Sequence, residues 1–196
     1  MWMVRAGEGG VHVDEFRARS FVAIGWIEMG DLSALRTREE FAKAVEKVYP
    51  GSRKMQIANS AGQVFRFVRE MKPGDRVLTY DPSKREYLVG TITGDYTYKP
   101  QLASTYPNVR AVHWDGGVQR DALSVATRNS LGAIATLFQL PAEAADVGHG
   151  HALHALGVQR VFDFLDLEVP HDGFDLFHDP VPLLKVDGSH SEHGCS

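Results

Sequence analysis

Residues 71–93, MKPGDRVLTYDPSKREYLVGTIT, combine in one short run a helix stop, a strand, a turn and a second strand. Lys72-Pro73-Gly74 ends whatever helix precedes it, since proline supplies no amide hydrogen and glycine accepts the left-handed backbone of a helix end. Residues 76–80 and 87–93 are rich in β-branched and aromatic side chains. Asp81-Pro82-Ser83-Lys84 between them sets proline at the second turn position, where its fixed φ suits a type I turn. The stretch reads as a β-hairpin fed by a helix.

Working backwards, Ser60-Ala-Gly-Gln63 has the form of a capping box, and Val64, Phe67, Val68 and Met71 form the apolar stripe of that helix. Thr37-Arg-Glu-Glu40 repeats the pattern, with Phe41, Ala44, Val45 and Val48 at helical spacing before Tyr49-Pro50-Gly51. Residues 2–5 and 21–26 read as strands, the first running into Gly7-Glu8-Gly9-Gly10. Forwards, residues 109–114 and 118–123 form a second strand pair around Asp115-Gly116-Gly117. Asn129-Ser130 opens a third helix with the stripe Leu131, Ile134, Ala135 and Phe138, which Pro141 closes. Strands mixed with about three short helices, without regular strand–helix alternation, predict an α+β domain over residues 1–143. Its sheet should be curved or form a small β-barrel, not a doubly wound layer.

The 196 residues, 43% hydrophobic, suffice for one substantial core. Residues 1–143 hold 19 Lys/Arg against 16 Asp/Glu, whereas residues 144–196 hold nine Asp/Glu against Arg160 and Lys185. The front is therefore mildly basic, which permits a polyanionic partner, and the end is a His- and Asp-rich tail expected to be poorly ordered or weakly structured. One cysteine, Cys195, excludes a disulfide framework and thiolate metal clusters. MWMVRAGEGG has no apolar signal core, and no run approaches the roughly 18 apolar residues of a membrane span, so a cytoplasmic location without a membrane partner is expected.

Motifs of covalent or metal catalysis do not occur: there is no Gly-x-Ser-x-Gly elbow, phosphate-cradling Gly-Lys-Ser/Thr loop or His-Glu-x-x-His helix. His149, His151 and His154 have metal-compatible spacing without placed companions, so no metal or cofactor is expected. Two other features suggest binding. Asn59-Ser60, and Arg128-Asn129-Ser130, stand at expected helix starts, where unpaired amides and the dipole favour phosphate; ordinary capping selects the same residues. Trp2, Trp26, Tyr80 and other aromatics sit at strand ends, where a ring can stack on a base or simply fill the core. Gly25 before Trp26 leaves room for a ligand or a backbone to approach.

ANSAGQVFRFVREMKPGDRVLTYDPSKREYLVGTITGDYTY (58–98), with WMVRAGEGG, FVAIGW, GDLS and TRNSLG in order, resembles the N-terminal region of many Mrr-type restriction endonucleases. That region in turn looks like the EVE, YTH and PUA-like barrel domains, some of which hold a modified base in an aromatic pocket. The resemblance implies a PUA/EVE-like fold and a module that reads modified bases in DNA within a restriction or defence system. It makes Trp2, Trp26 and Tyr80 the base-holding wall and Asn59 and Ser60 contacts to base or phosphate. Arg5, Arg128, Asn129 and Ser130 become backbone contacts. Methylated DNA and a separate nuclease subunit are the partners it implies, since the family's catalytic domain has no match in residues 144–196. An Mrr-like endonuclease cleaving methylated DNA, and a binder of RNA or a nucleotide-like ligand, are the competing readings.

Overall fold

The computed structural model describes residues 1–100 and 106–140. The expectations for the tail, including the histidine segment, lie outside these residues. Seven strands form one curled, half-barrel sheet: β1 (Trp2–Val4), β2 (Phe21–Ile24), β3 (Arg76–Asp81), β4 (Glu86–Ile92), β5 (Thr97–Tyr98), β6 (Asn108–Gln119) and β7 (Leu137–Gln139). Their order is β2-β6-β4-β3-β1-β7, with β5 also on β6; β1 and β3 run parallel and the other pairs antiparallel. Among the described residues four helices accompany it: α1 (Val13–Arg19), α2 (Arg38–Val48), α3 (Lys54–Phe65) and α4 (Val125–Leu131). The coarse α+β expectation with a curved sheet is met, with one helix more than foreseen.

The side-chain period of two along each strand divides the core. Trp2, Val4, Val77, Leu88 and Ile92 pack with Phe16, Phe41, Val64 and Phe67, while Met3, Leu78, Tyr87 and Val89 pack separately with Leu131 and Leu140. Phe16, Phe21, Phe41 and Phe67 are fully buried, each contributing about 1.5–3 kcal/mol by area removed from water.

The hairpin forms as read, and its turn is held by a buried carboxylate. Asp81 accepts from the Ser83 amide at 3.1 Å, the Ser83 hydroxyl at 2.6 Å and the Lys84 amide at 3.2 Å. Arg17 of α1 neutralises it at 2.8 Å. The α2 capping box is also as expected: Thr37 Oγ1 accepts from the Glu40 amide, and the Glu40 carboxylate accepts from the Thr37 amide.

Three readings are corrected. α3 begins at Lys54, with the Gln56 side chain accepting from the Arg53 amide at 2.9 Å, so Ser60 lies mid-helix. Gln63, the partner in the expected box, instead accepts from the Leu137 amide at 3.0 Å and docks β7. Residues 109–123 do not form a hairpin at Asp115-Gly116-Gly117. β6 runs through that sequence as one strand, absorbing the glycines in a bulge where Val89 faces Gly116 but Gly90 faces Trp114. Finally, the third helix lies earlier, at Val125–Leu131. It is capped by Ser124 Oγ, which accepts from the Thr127 amide, and Leu137–Gln139 is strand β7 because it pairs with β1.

α3 continues into a π-helical turn, Arg66–Glu70, whose end meets the buried Arg110 of β6. The guanidinium donates to the carbonyls of Phe67 (2.7 Å), Val68 (3.0 Å) and Gly94 (3.1 Å). Those at 67 and 68 are end-of-helix carbonyls that the chain cannot satisfy itself. Desolvation pushes the Arg110 pKa down to about 10, so the side chain remains a cation at neutral pH.

Gly90 is needed for close approach: a Cβ there would stand 2.6 Å from the His113 carbonyl and 2.8 Å from the Trp114 ring. Gly90→Ala should destabilise the domain by about 2 kcal/mol, read as a lower urea midpoint; an unchanged midpoint would refute the tight crossing of β4 and β6. Thr79 is fully buried, and its hydroxyl has no hydrogen-bond partner among the described residues. Thr79→Val should leave stability unchanged or raise it by about 1 kcal/mol, and a clear loss in thermal melting would reveal a hidden partner.

Candidate functional site

β2 ends at Ile24, and the chain then makes a sharp change of direction at Trp26, which adopts the left-handed conformation (φ 55°, ψ 45°). A non-glycine residue there costs roughly 1–2 kcal/mol, so its flanks must hold it in place. They do so from both sides. The Gly25 carbonyl accepts from the fully buried Asn108 side-chain amide at 3.0 Å, and Asn108 Oδ1 accepts from the Tyr96 hydroxyl at 2.8 Å. The Tyr96 oxygen accepts in turn from the Leu32 amide at 3.1 Å. Burial pushes the Tyr96 phenol up to about 12, so it remains a donor at neutral pH. After Trp26 a 3-10 turn, Ile27–Met29, is tied to the end of α2 by the Tyr49 hydroxyl, which donates to the Glu28 carboxylate at 2.6 Å.

The Trp26 ring is half-buried against the larger core cluster. The Tyr106 ring covers Gly25, about 3.5 Å from where a Cβ would stand, so the space that the glycine seemed to leave is filled by an aromatic ring. Tyr106 packs at a tilt on His12, with ring centroids 4.4 Å apart. His12 closes on Gly7, whose added Cβ would meet the imidazole at 2.8 Å. Burial, with help from the nearby Glu8 carboxylate, pushes the Tyr106 phenol up. Val11 and Ile27, the sequence neighbours of His12 and Trp26, are 72% and 44% exposed. The Tyr106 phenol and the His12 imidazole thus gather next to a glycine-rich loop, against the Gly25 backbone that leads into Trp26, as aromatic groups on which a flat ligand can stack.

The other expected wall residues are elsewhere. Trp2 is 3% exposed and donates its indole N–H to Asp75 at 2.9 Å, while the same carboxylate accepts from the Lys72 amide at 2.8 Å. The Met-Lys-Pro-Gly-Asp lead-in therefore pins Trp2 into the core. Tyr80 packs on Tyr87 (4.7 Å between centroids) with the smaller cluster, on the opposite side of β3 from the Trp26 cluster. Trp26 and Tyr80 cannot wall one common base.

The expected amide sites also change. Asn59 and Ser60 sit within α3, where backbone amides are committed to the helix. Asn129 and Ser130 lie in the last turn of α4, with the Gly132 amide donating to the Asn129 carbonyl and the Ser130 hydroxyl to the Ala126 carbonyl. A helix C-terminus carries negative partial charge, so these positions offer no anion site. Arg5 is held by the carbonyls of Ala133 and Ala135, and Arg128 reaches Asp121 at 4.0 Å.

A family model described as a domain of unknown function, DUF8426, matches residues 2–141. The chain belongs to the DUF8426 family. No curated protein and no solved structure matches it. In this DUF8426 domain, His12 and Asn108 are candidates that the sequence does not single out, and Tyr96 and Tyr106 stand out in it only among the general set of aromatics. They come from the loop before α1, the segment before β5 and the start of β6, and only long-range packing unites them. The one local signal was Asn108 itself, an amide opening an apolar strand.

Asn108→Ala should leave the Gly25 carbonyl and the Tyr96 hydroxyl without their partner. The expected cost is about 2 kcal/mol in chemical unfolding, with altered tryptophan emission in the folded state as the Trp26 turn relaxes. Wild-type stability and an unchanged spectrum would show that this network does not hold the site.

Proposed function

We propose that this DUF8426 domain is a nucleic-acid-binding module of EVE/PUA-like architecture, reading modified bases in DNA within a restriction or defence system in the cytoplasm. The observation that carries the reading is the partly exposed Trp26, held in a left-handed backbone conformation next to Gly25, on which the Tyr106–His12 ring pair packs. An extruded base has two flat faces and a polar edge, and a rigid aromatic platform with hydroxyl and imidazole groups nearby is complementary to both. The excess of Lys/Arg over residues 1–143 favours a polyanion over a neutral metabolite. The curled sheet and the helix leading into its hairpin support the architectural part of the proposal.

Trp26→Ala should weaken binding of a methylated duplex by about 1–3 kcal/mol, roughly 5- to 150-fold, while the melting transition stays cooperative. Fluorescence anisotropy against methylated, unmodified and single-stranded RNA probes measures this. Undiminished affinity per folded molecule would assign the indole to the core and remove the basis of the proposal. Cleavage of methylated plasmid in Mg²⁺ or Mn²⁺ by the purified chain would favour the endonuclease reading instead.

A further inference from the structure

Strands β3 and β4, with the segment after β6, bring a second constellation together on the sheet face away from Trp26. Arg85 lies in the β3–β4 turn, Arg120 just after β6 and Arg128 on α4, and all three converge on Asp121 at 2.7, 3.7 and 4.0 Å. Arg120 also hydrogen-bonds the Tyr87 phenol, whose ring packs on Tyr80. Three arginines thus surround one carboxylate. Three guanidinium groups against one carboxylate leave a local excess of two positive charges.

Asp121 cannot neutralise this surface. Arg85 is 56% exposed and bonds the carboxylate through two nitrogens, at 3.0 and 2.7 Å, while Arg120 and Arg128 lie beyond hydrogen-bond reach of it. The Arg85 hydrogen bonds, with Coulombic help from Arg120 and Arg128, hold Asp121 below the usual carboxylate range, so it stays charged at neutral pH. Planar guanidinium groups at fixed spacing match phosphate oxygens better than flexible ammonium groups do.

We infer that the surface formed by Arg85, Arg120 and Arg128 beside the Tyr80–Tyr87 pair carries the phosphate backbone of the bound nucleic acid. This inference rests on the proposed function and extends it by giving the backbone its own track. The β3–β4 turn connects the two surfaces: Gly10 of the glycine-rich loop lies against Pro82 and the Tyr80 carbonyl, and Arg85 stands in the same turn. A strand lying along the arginines therefore passes the turn at the end of the sheet where the loop leads to His12 and Trp26.

The test uses the full chain and a fluorescein-labelled 20-base-pair duplex carrying a methylated base, titrated at several salt concentrations. Arg85→Gln with Arg120→Gln should weaken binding about 10-fold at low salt and reduce the slope of log K against log salt by about 2. The paired Arg→Lys variant should keep most of that slope. Asp121→Asn, which leaves every arginine in place, should tighten binding about threefold and gives a reading even if the double variant folds poorly. Trp26→Ala should lower affinity without changing the slope. Wild-type affinity and slope in the Gln double variant, or no tightening by Asp121→Asn, would overturn the arginine track while a weakened Trp26→Ala preserved the base-reading proposal. Failure of the unmutated chain to bind the duplex at any salt would overturn both.

Discussion

The buried guanidinium of Arg110 is the constraint on which the rest of the domain hangs. Among the described residues no carboxylate is in hydrogen-bond contact with it; its partners are the carbonyls of Phe67, Val68 and Gly94. Desolvating a cation costs several kcal/mol, but charge-assisted hydrogen bonds contribute about 1.5–3 kcal/mol each. The negative end of a helix adds to them. The exchange closes only if all three carbonyls are where they are. β6, the π-helical end of α3 and the chain leaving β4 are therefore located together or not at all. Through α3 the constraint extends to Gln63 and so to β7, the edge strand that Gln63 docks.

The same strand carries the constraint to the site. Asn108 and Arg110 are two residues apart on β6 and so share one face, and both are buried polar side chains satisfied largely by backbone carbonyls. One fixes the helical layer, and the other fixes Gly25 and through it the turn at Trp26. A polar group in a core is tolerable only when fully bonded, which makes this pair specify geometry where apolar residues would allow repacking.

Much of the fold was legible because its signals were local. Thr37 and Glu40 form a reciprocal cap within one turn, and Asp81-Pro82-Ser83-Lys84 completes a turn from its own side chains. The errors arose where a distant partner decided. Ser60-Ala-Gly-Gln63 imitates a helix start, but Gln63 serves β7, 74 residues away in sequence. Gly116-Gly117 imitates a hairpin turn, but the neighbouring β4 keeps β6 extended through it. α1 was passed over although Val13 and Phe16 share a face, with Asp14 and Glu15 early and Arg17 and Arg19 late to suit the dipole. For the site, strand alternation already separated Trp2 and Val77 from Met3, Leu78 and Tyr80, so the division of the aromatics between two faces was readable. The gathering of Tyr96, Tyr106 and His12 around Gly25 was not, because nothing local encodes it.

The strain at Trp26 carries less weight than the way the ring is left. Half-burying an indole against the core returns roughly 2 kcal/mol, which offsets the roughly 1–2 kcal/mol of its left-handed backbone. The backbone conformation by itself therefore requires no ligand. What burial leaves over, among the described residues, is the exposed remainder of Trp26. Tyr106 shields Gly25, His12 packs on Tyr106, and the exposed Val11 and Ile27 flank the site. Stability would be served as well by an indole turned fully inward, so the proposed stacking role depends on its incomplete burial, with the flanking backbone held by Asn108 and by the Tyr49–Glu28 bond.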